Sequence, residues 1–261
     1  NLKEIEENDA YKFIHGDVCD LEKLNRAIKG CDGVVHFAAE SHVDRSITNP
    51  GPFIETNCTG TGNLCEVVVK NQIEKYVHVS TDEVYGSIGT KIGEGSFTER
   101  DQLNPSSPYS ATKAAGDLIV LSYHQTHDMP VSIIRPSNNY GPNQYPEKVI
   151  PLFITNLLEK KPVPLYGDGL HIRDWCNVED TCKAIDTVLQ KGDEGSIYNA
   201  GAGNEKTNLE LAEKLVELCD AENALINKVA DRSGHDRRYS VNSDLINELG
   251  WTPQCDFEKG L

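Results

Sequence analysis

The sequence predicts an α/β fold, a doubly wound (Rossmann-type) and mostly parallel sheet with a smaller C-terminal lobe. From residue 11 to about residue 142, short apolar runs rich in β-branched residues alternate with stretches of helical character. This is the order of a parallel sheet with crossover helices. Beyond residue 142 the composition shifts to loops and shorter elements. We therefore assign residues 1–142 to a first domain and 143–261 mainly to a second lobe, and expect about 172–200 to return to the first sheet.

Each predicted strand is an apolar run that leads into polar or small residues. Strands are expected at residues 11–18, 33–41, 76–79, 131–135 and 196–199. Helices are expected at residues 21–29, 52–70, 108–125 and 178–190, and others begin near Pro146 and at Asn208. Gly60 and Gly62 predict close packing or a kink in the helix 52–70.

The strand 76–79 leads directly into the polar run of Ser80, Thr81, Asp82 and Glu83. In open α/β sheets, ligands bind at the carboxyl ends of the strands. The run is therefore expected to face a ligand. An Asp-Glu pair at a strand end is also common as a simple turn or cap.

Tyr109 and Lys113 are expected on one face of the helix that follows. Pro108 suits the first turn of a helix, and residues four apart are neighbours on a helix surface. An ammonium beside a phenol favours the phenolate, and a tyrosine whose pKa is lowered from about 10 can act as a base. This spacing is common on solvated helices, but together with Asp82 and Glu83 it suits an oxidation combined with an acid/base elimination.

The segments Thr81-Asp-Glu-Val-Tyr-Gly86 and Tyr109-Ser-Ala-Thr-Lys113 resemble the extended short-chain dehydrogenase/reductase family, and within it the dTDP-glucose 4,6-dehydratases. The likeness covers nearly the whole chain. Its most specific mark is the Thr-Asp-Glu triplet, because related epimerases and decarboxylases tend to have Ser-Glu or another pair. The resemblance implies NAD as cofactor, a Rossmann-type NAD-binding domain in residues 1–142, and conversion of dTDP-glucose to dTDP-4-keto-6-deoxyglucose on the route to deoxysugars such as rhamnose.

The resemblance also implies a role for each catalytic residue. Tyr109 accepts the proton of the C4 hydroxyl while hydride passes to NAD, and Lys113 holds Tyr109 as phenolate and binds the nicotinamide ribose. Thr81 polarises the C4 oxygen. Glu83 removes the C5 proton and Asp82 protonates the departing C6 hydroxyl, after which hydride returns to C6. Two carboxylates with opposite tasks need different pKa values.

Contacts to the two ligands are implied in the same way. The implied cofactor-binding residues are Asp17, Val18, Phe37, Ala38, Ala39, Glu40, Ser41, Thr56, Tyr109, Lys113 and Asn139. The implied substrate-binding residues are Ser41, Thr81, Asn138, Lys148, Val149, Pro164, Leu165, Tyr166, Arg173, Asn208, Asp231, Arg232, Ser233, Gly234 and His235. Ser233 stands where the family usually has proline, so its loop is expected to be less rigid.

Several of these residues also have a purely structural explanation. Asp17 and Asn208 suit helix N-caps. Asn138 and Asn139 could form only a turn. Arg173 and Asp174 could form a surface pair beside a core Trp175, and residues 231–238 could be a solvated charged loop.

The formal charge of −16 argues against nonspecific binding to nucleic acid or to anionic membranes. A nucleotide-sugar would therefore need a local cationic pocket. No apolar run approaches the roughly 18 residues of a membrane span, and the first residues lack an apolar signal region, so we expect a cytoplasmic protein. The eight cysteines form no Cys-x-x-Cys pair, which favours buried reduced thiols over a disulfide framework or a zinc site, and we expect no metal.

The first residues contain no strand followed by a Gly-x-x-Gly-x-x-Gly turn, with which a dinucleotide-binding fold of this kind begins. We therefore expect an incomplete chain that lacks about the first forty residues of the unit. The last residues are likewise expected to lie inside an interrupted helix.

A homodimer is expected through the helices 52–70 and 108–125, which carry apolar Val67, Leu118, Ile119 and Leu121. These side chains could instead cover only the protein's own sheet. Three rival functions remain: a related nucleotide-sugar epimerase or decarboxylase, a dehydratase of GDP- or CDP-sugars, and a non-catalytic dinucleotide-binding protein. The last would be expected to lose Tyr109 or Lys113.

Overall fold

The structure, a computed structural model, describes residues 2–221 and 225–261. Its main sheet has four parallel strands in the order β1-β2-β3-β7, which confirms the predicted α/β fold. The strands of the described chain are β1 (Gly33–His36), β2 (Lys75–Val79), β3 (Val131–Pro136), β4 (Asn138–Tyr140), β5 (Val163–Tyr166), β6 (Ile172–Asn177), β7 (Ile197–Ala200), β8 (Glu205–Thr207) and β9 (Ile226–Val229).

Helices cover both faces of this sheet. They are α1 (Leu21–Ala27), α2 (Val43–Thr48), α3 (Gly51–Ile54), α4 (Thr61–Lys70), α5 (Pro108–His127), α6 (Val149–Leu158), α7 (Val178–Lys191), α8 (Asn208–Leu218), α9 (Asp244–Glu248) and α10 (Phe257–Gly260). Successive strand residues point to opposite faces. Ile133 therefore packs in the layer of α4 and α5, and Ile134 packs in the layer of α7.

The predicted helix 52–70 is a helical run with a π-helical segment, Glu55–Gly60, between α3 and α4. A Cβ atom on Gly60 would lie 2.5 Å from Cγ2 of Val18, so the predicted close packing is confirmed there. At Gly62 a Cβ atom would meet no described heavy atom within 4 Å. Packing therefore explains Gly60 but not Gly62.

Two small sheets and the helices α6, α8 and α10 build the second lobe in the described part of the chain. One sheet has the order β4-β6-β8, and the other pairs β5 with β9 in parallel. Phe153 of α6, Trp175 of β6 and Leu211 of α8 are buried in its core. Strand β7 lies beside β3 in the main sheet, whereas β6 pairs with β4 and β8 of the lobe. The return to the main sheet expected for residues 172–200 therefore excludes β6.

Three local predictions are wrong. Residues 11–18 form no strand, since their backbone pairs with no described strand and Phe13 is 70% exposed. Helix α1 is capped by Asp20, whose carboxylate accepts from the Lys23 amide, and not by Asp17. Helix α8 starts at Asn208 as predicted, but Thr207 is its N-cap.

The eight cysteines are all unpaired thiols. No helix among the described residues is both long enough and apolar enough to span a bilayer. The prediction about the start of the chain concerns residues that would precede Asn1 and stays a prediction, and Asn1 itself lies outside the described part.

Candidate active site

The polar run after β2 turns at the carboxyl edge of the main sheet, as predicted. Thr81 caps a 3₁₀ turn, Asp82–Tyr85, and its hydroxyl accepts a hydrogen bond from the Glu83 amide at 3.3 Å. The turn ends at Gly86, whose φ of 79° is easily adopted only by glycine. Thr81 and Asp82 are buried. The turn thus holds the two carboxylates next to the strand end.

Tyr109 and Lys113 lie in the first turns of α5. Ser107 is the N-cap and forms a reciprocal capping box with Ser110, while Pro108 occupies the first turn. The Tyr109 amide donates to Oγ of Ser46 at 3.1 Å, and Nζ of Lys113 donates to the Val79 carbonyl at 2.8 Å. Helix α5 is therefore fixed so that both side chains are buried beside the end of β2.

The electrostatics of this pair correct one expectation. Burial, together with the nearby Glu83 carboxylate, raises the pKa of Tyr109 above its usual value instead of lowering it. Burial lowers the pKa of Lys113 to about 8, against the opposing attraction of Asp117. Desolvation thus has the largest effect on the pKa of both groups, because the charged form of either group loses its hydration on burial.

Asp82 and Glu83 are neighbours with different surroundings. Burial raises the pKa of Asp82 well above its usual range, the charges of Glu83 and Asp174 add to this effect, and Arg173 opposes it. Its Oδ2 atom is buried and has no hydrogen-bond partner among the described residues. Burial also raises the pKa of Glu83, but Arg173, Arg232 and Lys148 all oppose the rise. Asp82 is therefore the better proton donor and Glu83 the better proton acceptor.

A cavity of about 480 Å³ opens between the sheet edge and the second lobe. Glu83 lines it, with eleven of the predicted substrate-binding residues: Ser41, Asn138, Lys148, Val149, Pro164, Leu165, Tyr166, Arg173, Asn208, Arg232 and His235. Thr81, Asp231, Ser233 and Gly234 are outside this lining. The cavity supplies the local cations that the acidic composition requires for an anionic ligand.

Asn138 and Asn139 form part of a strand and not merely a turn. Oδ1 of Asn138 is buried without a hydrogen-bond partner among the described residues, so it is available to a ligand. Asn139 donates from Nδ2 to the Ser137 carbonyl. Asn208 lines the cavity, and its backbone amide donates to the His171 carbonyl at 2.9 Å.

The predicted surface pair of Arg173 and Asp174 does not exist, because both side chains are buried. Arg173 donates to the carbonyls of Ile172 and Asp236 and lies 4.2 Å from the ring centre of Tyr239. Asp174 instead accepts from the amides of residues 202 and 204. Trp175 is buried in the core, which is the part of the surface-pair alternative that the structure confirms.

The charged run 231–238 is only partly solvated. Asp231 accepts from His235 at 2.7 Å and lies 3.3 Å from Nε2 of His171, and the two imidazole rings stack at 3.6 Å. Arg238 is fully buried and forms a two-point ion pair with Glu205. Gly234 has a φ of 66° and approaches the Ser106 carbonyl. The run is thus anchored to the cavity wall.

The predicted cofactor residues form an accessible strip beyond β1. Phe37 is 61% exposed, and Ala38 and Ser41 are also exposed. Asn57 fixes this strip by accepting from the Glu40 amide at 2.9 Å and donating to the Glu40 carbonyl at 3.0 Å. Asp17 is exposed, and Val18 and Thr56 are half-buried. An exposed backbone strip, together with the buried Lys113 ammonium, suits the binding of a dinucleotide such as NAD.

Comparisons with known proteins identify the family of the chain. A family model described as GDP-mannose 4,6 dehydratase matches residues 1–261. A dTDP-glucose 4,6-dehydratase from an Actinoplanes strain is 49% identical over 100% of this chain and 81% of the relative. The chain belongs to this family of nucleotide-sugar 4,6-dehydratases.

Solved structures of the family superimpose on the chain. DesIV, a dTDP-glucose 4,6-dehydratase from Streptomyces venezuelae crystallised with NAD, has a TM-score of 0.96 and 48% identity over 99% of this chain and 80% of DesIV. A UDP-glucuronic acid 4-epimerase from Bacillus cereus, in complex with UDP-glucuronic acid and NAD, has a TM-score of 0.93 but 26% identity, over 99% of this chain and 82% of the epimerase. The fold is therefore shared with epimerases, whereas the sequence lies nearer the dehydratases.

Several cavity residues escaped the sequence-based prediction. Asp44 accepts from the Tyr166 hydroxyl at 3.0 Å, and Glu147 pairs with Arg45. Tyr239, which packs on Arg173, also lines the cavity. Tyr239 directly follows the predicted charged run, which is a usable signal. Nothing in the local sequence marks Asp44 or Glu147.

Proposed function

We propose that the full-length protein is an NAD-dependent lyase that converts dTDP-glucose to dTDP-4-keto-6-deoxyglucose. The observation that carries this proposal is the pair of adjacent carboxylates with unlike surroundings beside Tyr109 and Lys113. An epimerase or a simple dehydrogenase needs only the Tyr/Lys pair and the cofactor. An elimination needs in addition one acid and one base.

The residues divide the chemistry between them. Bound NAD supplies the redox step that makes the C4 ketone and later saturates C6. Tyr109 takes the proton of the C4 hydroxyl, and Thr81 donates a hydrogen bond to the C4 oxygen. The ketone makes the C5 proton acidic, so Glu83 can remove it. Asp82, kept protonated by its burial, gives its proton to the departing C6 hydroxyl.

Lys113 has a different task in this scheme. Its ammonium lies one turn from Tyr109, where a positive charge stabilises the phenolate that forms as the proton leaves. Burial excludes water from both groups, so this attraction acts in a medium of low dielectric. The cofactor contacts assigned to residues 17, 18, 37–41, 56 and 139 belong to the same proposal.

The cavity supports a nucleoside-diphosphate sugar as substrate. Arg173, Arg232 and Lys148 line it and suit a diphosphate. Tyr166 is 38% exposed at the same wall and offers a ring face to a base. Asp231, Ser233 and Gly234 are outside the lining and contribute in this proposal by holding the loop of Arg232 and His235.

We also infer a homodimer and a cytoplasmic location. Leu118 of α5 is 60% exposed and Ile54 of α3 is 53% exposed, which supports pairing through these helices. Val67 is not available for it, since it is buried in the protein's own core. Eight unpaired thiols are typical of a reducing compartment.

Product analysis tests the activity. The full-length protein is incubated separately with dTDP-glucose, GDP-mannose and UDP-glucuronic acid, and products are identified by NMR. We expect a 4-keto-6-deoxy sugar from dTDP-glucose without net accumulation of reduced cofactor. A C4 epimer as product would indicate an epimerase. Preferential turnover of GDP-mannose would replace dTDP-glucose as the proposed substrate. Binding of NAD without turnover of any sugar would indicate a non-catalytic dinucleotide-binding protein.

A further inference from the structure

Beneath the catalytic pair lies a buried charge that the proposed mechanism does not use. Asp117 follows Lys113 by four residues and Tyr109 by eight, so the three share one face of α5. Asp117 is 0% exposed and Lys113 5% exposed. A buried carboxylate this close to a buried ammonium is expected to act on it strongly.

The surrounding structure fixes the orientation of Asp117. Arg135 binds its Oδ2 atom through both Nε and Nη2, each at 2.9 Å. The Arg135 guanidinium also donates to the Tyr85 hydroxyl at 2.6 Å, which in turn donates to Asn199 at 2.9 Å. This chain of contacts crosslinks α5, β3 and β7. Oδ1 of Asp117 accepts no hydrogen bond from any described residue.

The other titratable groups around Lys113 are neutral at pH 7. Burial lowers the pKa of His36 on β1 to about 3, and lowers that of His78 on β2 well below its usual value. Burial raises the pKa of the Cys58 thiol in the π-helical segment. Of the two groups that favour the charged lysine, Asp117 and Cys58, Asp117 is the one whose anion has a buried cation partner, since Arg135 opposes the rise that burial causes in its pKa.

We propose that Asp117 is a positioning residue for the reaction, whose carboxylate keeps the Lys113 ammonium protonated at neutral pH. Arg135 holds this carboxylate in place by one oxygen, and the other oxygen lies 3.6 Å from Nε2 of His78 without accepting a hydrogen bond from a described residue. Lys113 can stabilise the Tyr109 phenolate only while it carries its charge. The inference rests on the proposed role of Lys113, but the titration of Lys113 can be measured without turnover.

The test uses the full-length protein as wild type, Asp117→Asn and the double variant Asp117→Asn/Arg135→Gln. The double variant replaces the buried ion pair by two neutral groups of similar shape, so it avoids an unpaired buried arginine. Asp128→Asn is the matched control, since Asp128 is exposed at the C-cap of the same helix. Lys113 is titrated by NMR of ¹⁵N-lysine-labelled protein, and its signal is assigned by its loss in Lys113→Met.

We expect a wild-type midpoint near 8 and a midpoint lower by about one unit or more in both Asp117 variants, because a nearby opposite charge typically shifts a pKa by about 1–3 units and the two side chains are i,i+4 neighbours on α5. The alkaline limb of kcat/KM should move to lower pH by the same amount, and Asp128→Asn should change neither. A folded Asp117 variant with the wild-type midpoint would overturn the proposal. A wild-type midpoint below about 6.5 would also overturn it, and this readout does not depend on the folding of any variant. Absence of any dehydratase product from the wild type, with the midpoints shifted as expected, would instead refute the proposed function alone.

Discussion

Replacing Glu83 by Gln and Tyr109 by Phe should stop the reaction at different steps. Tyr109→Phe removes only the hydroxyl and keeps the ring, which contacts Phe53 edge to face at 6.5 Å. Oxidation at C4 then lacks its base. Glu83→Gln keeps the size of the side chain among Arg173, Arg232 and Lys148, but the amide cannot take the C5 proton. Each loss is expected to slow its own step by about 10²–10⁴-fold.

The two variants are compared by rapid mixing of NAD-loaded enzyme with dTDP-glucose, followed by the absorbance of reduced nicotinamide. Tyr109→Phe should give a flat trace, whereas Glu83→Gln should accumulate reduced cofactor and a 4-keto sugar in the site. Glu213→Gln, which changes an exposed carboxylate of α8, is the control and should behave as wild type. Flat traces for both site variants would refute the assignment of Glu83 as the C5 base, and Lys113 stays intact throughout.

Three other predictions address stability and assembly. Folding moves the pKa of Lys113 from 10.5 to about 8, so the buried ammonium lowers stability by up to about 3 kcal/mol below pH 8 and by less as the pH rises toward 10.5. Lys113→Met should therefore be more stable than wild type in urea at pH 7, with a gap that narrows at alkaline pH; a widening gap would contradict this sign. Arg238→Lys loses the two-point pair with Glu205 and should lower the free energy of unfolding by about 2–4 kcal/mol, whereas Lys206→Arg, a half-buried neighbour, should change little. Leu118→Arg should convert the proposed dimer to a monomer by light scattering, and a wild-type monomer at micromolar concentration would reject the dimer itself.

Local sequence patterns were sufficient for most of the main sheet and for the position of the catalytic turn. The strands 76–79, 131–135 and 196–199 are each within one or two residues of β2, β3 and β7. Pro108 marked the start of α5 correctly because its fixed φ suits the first helical turn. The segment 11–18 has the same apolar character but pairs with no strand among the described residues. Strand formation depends on a partner, which a local pattern does not contain.

The candidate residues were predictable by motif, but their protonation was not. The Tyr/Lys spacing alone suggested a lowered pKa for Tyr109, whereas burial beside Glu83 raises it. The predicted N-caps Asp17 and Asn208 were wrong for a related reason. Asp20 and Thr207 lie nearby and suit an N-cap equally well, so only the backbone geometry decides between the candidates. No local pattern marks Asp117, because its partner Arg135 is on a different element.

The contrast between Asp82 and Glu83 shows why distant residues decide the chemistry of a local motif. The two carboxylates are adjacent in sequence and both are disfavoured as anions by burial. Arg173 of β6 lowers the pKa of both, so what separates them is the further pair of cations around Glu83, Lys148 at the N-cap of α6 and Arg232 of the charged run. These same cations line the cavity proposed for the diphosphate. In a chain of net charge −16, these cations at one wall of the cavity therefore have two effects. They attract an anionic substrate, and they keep the neighbouring Glu83 carboxylate closer to its ionised form.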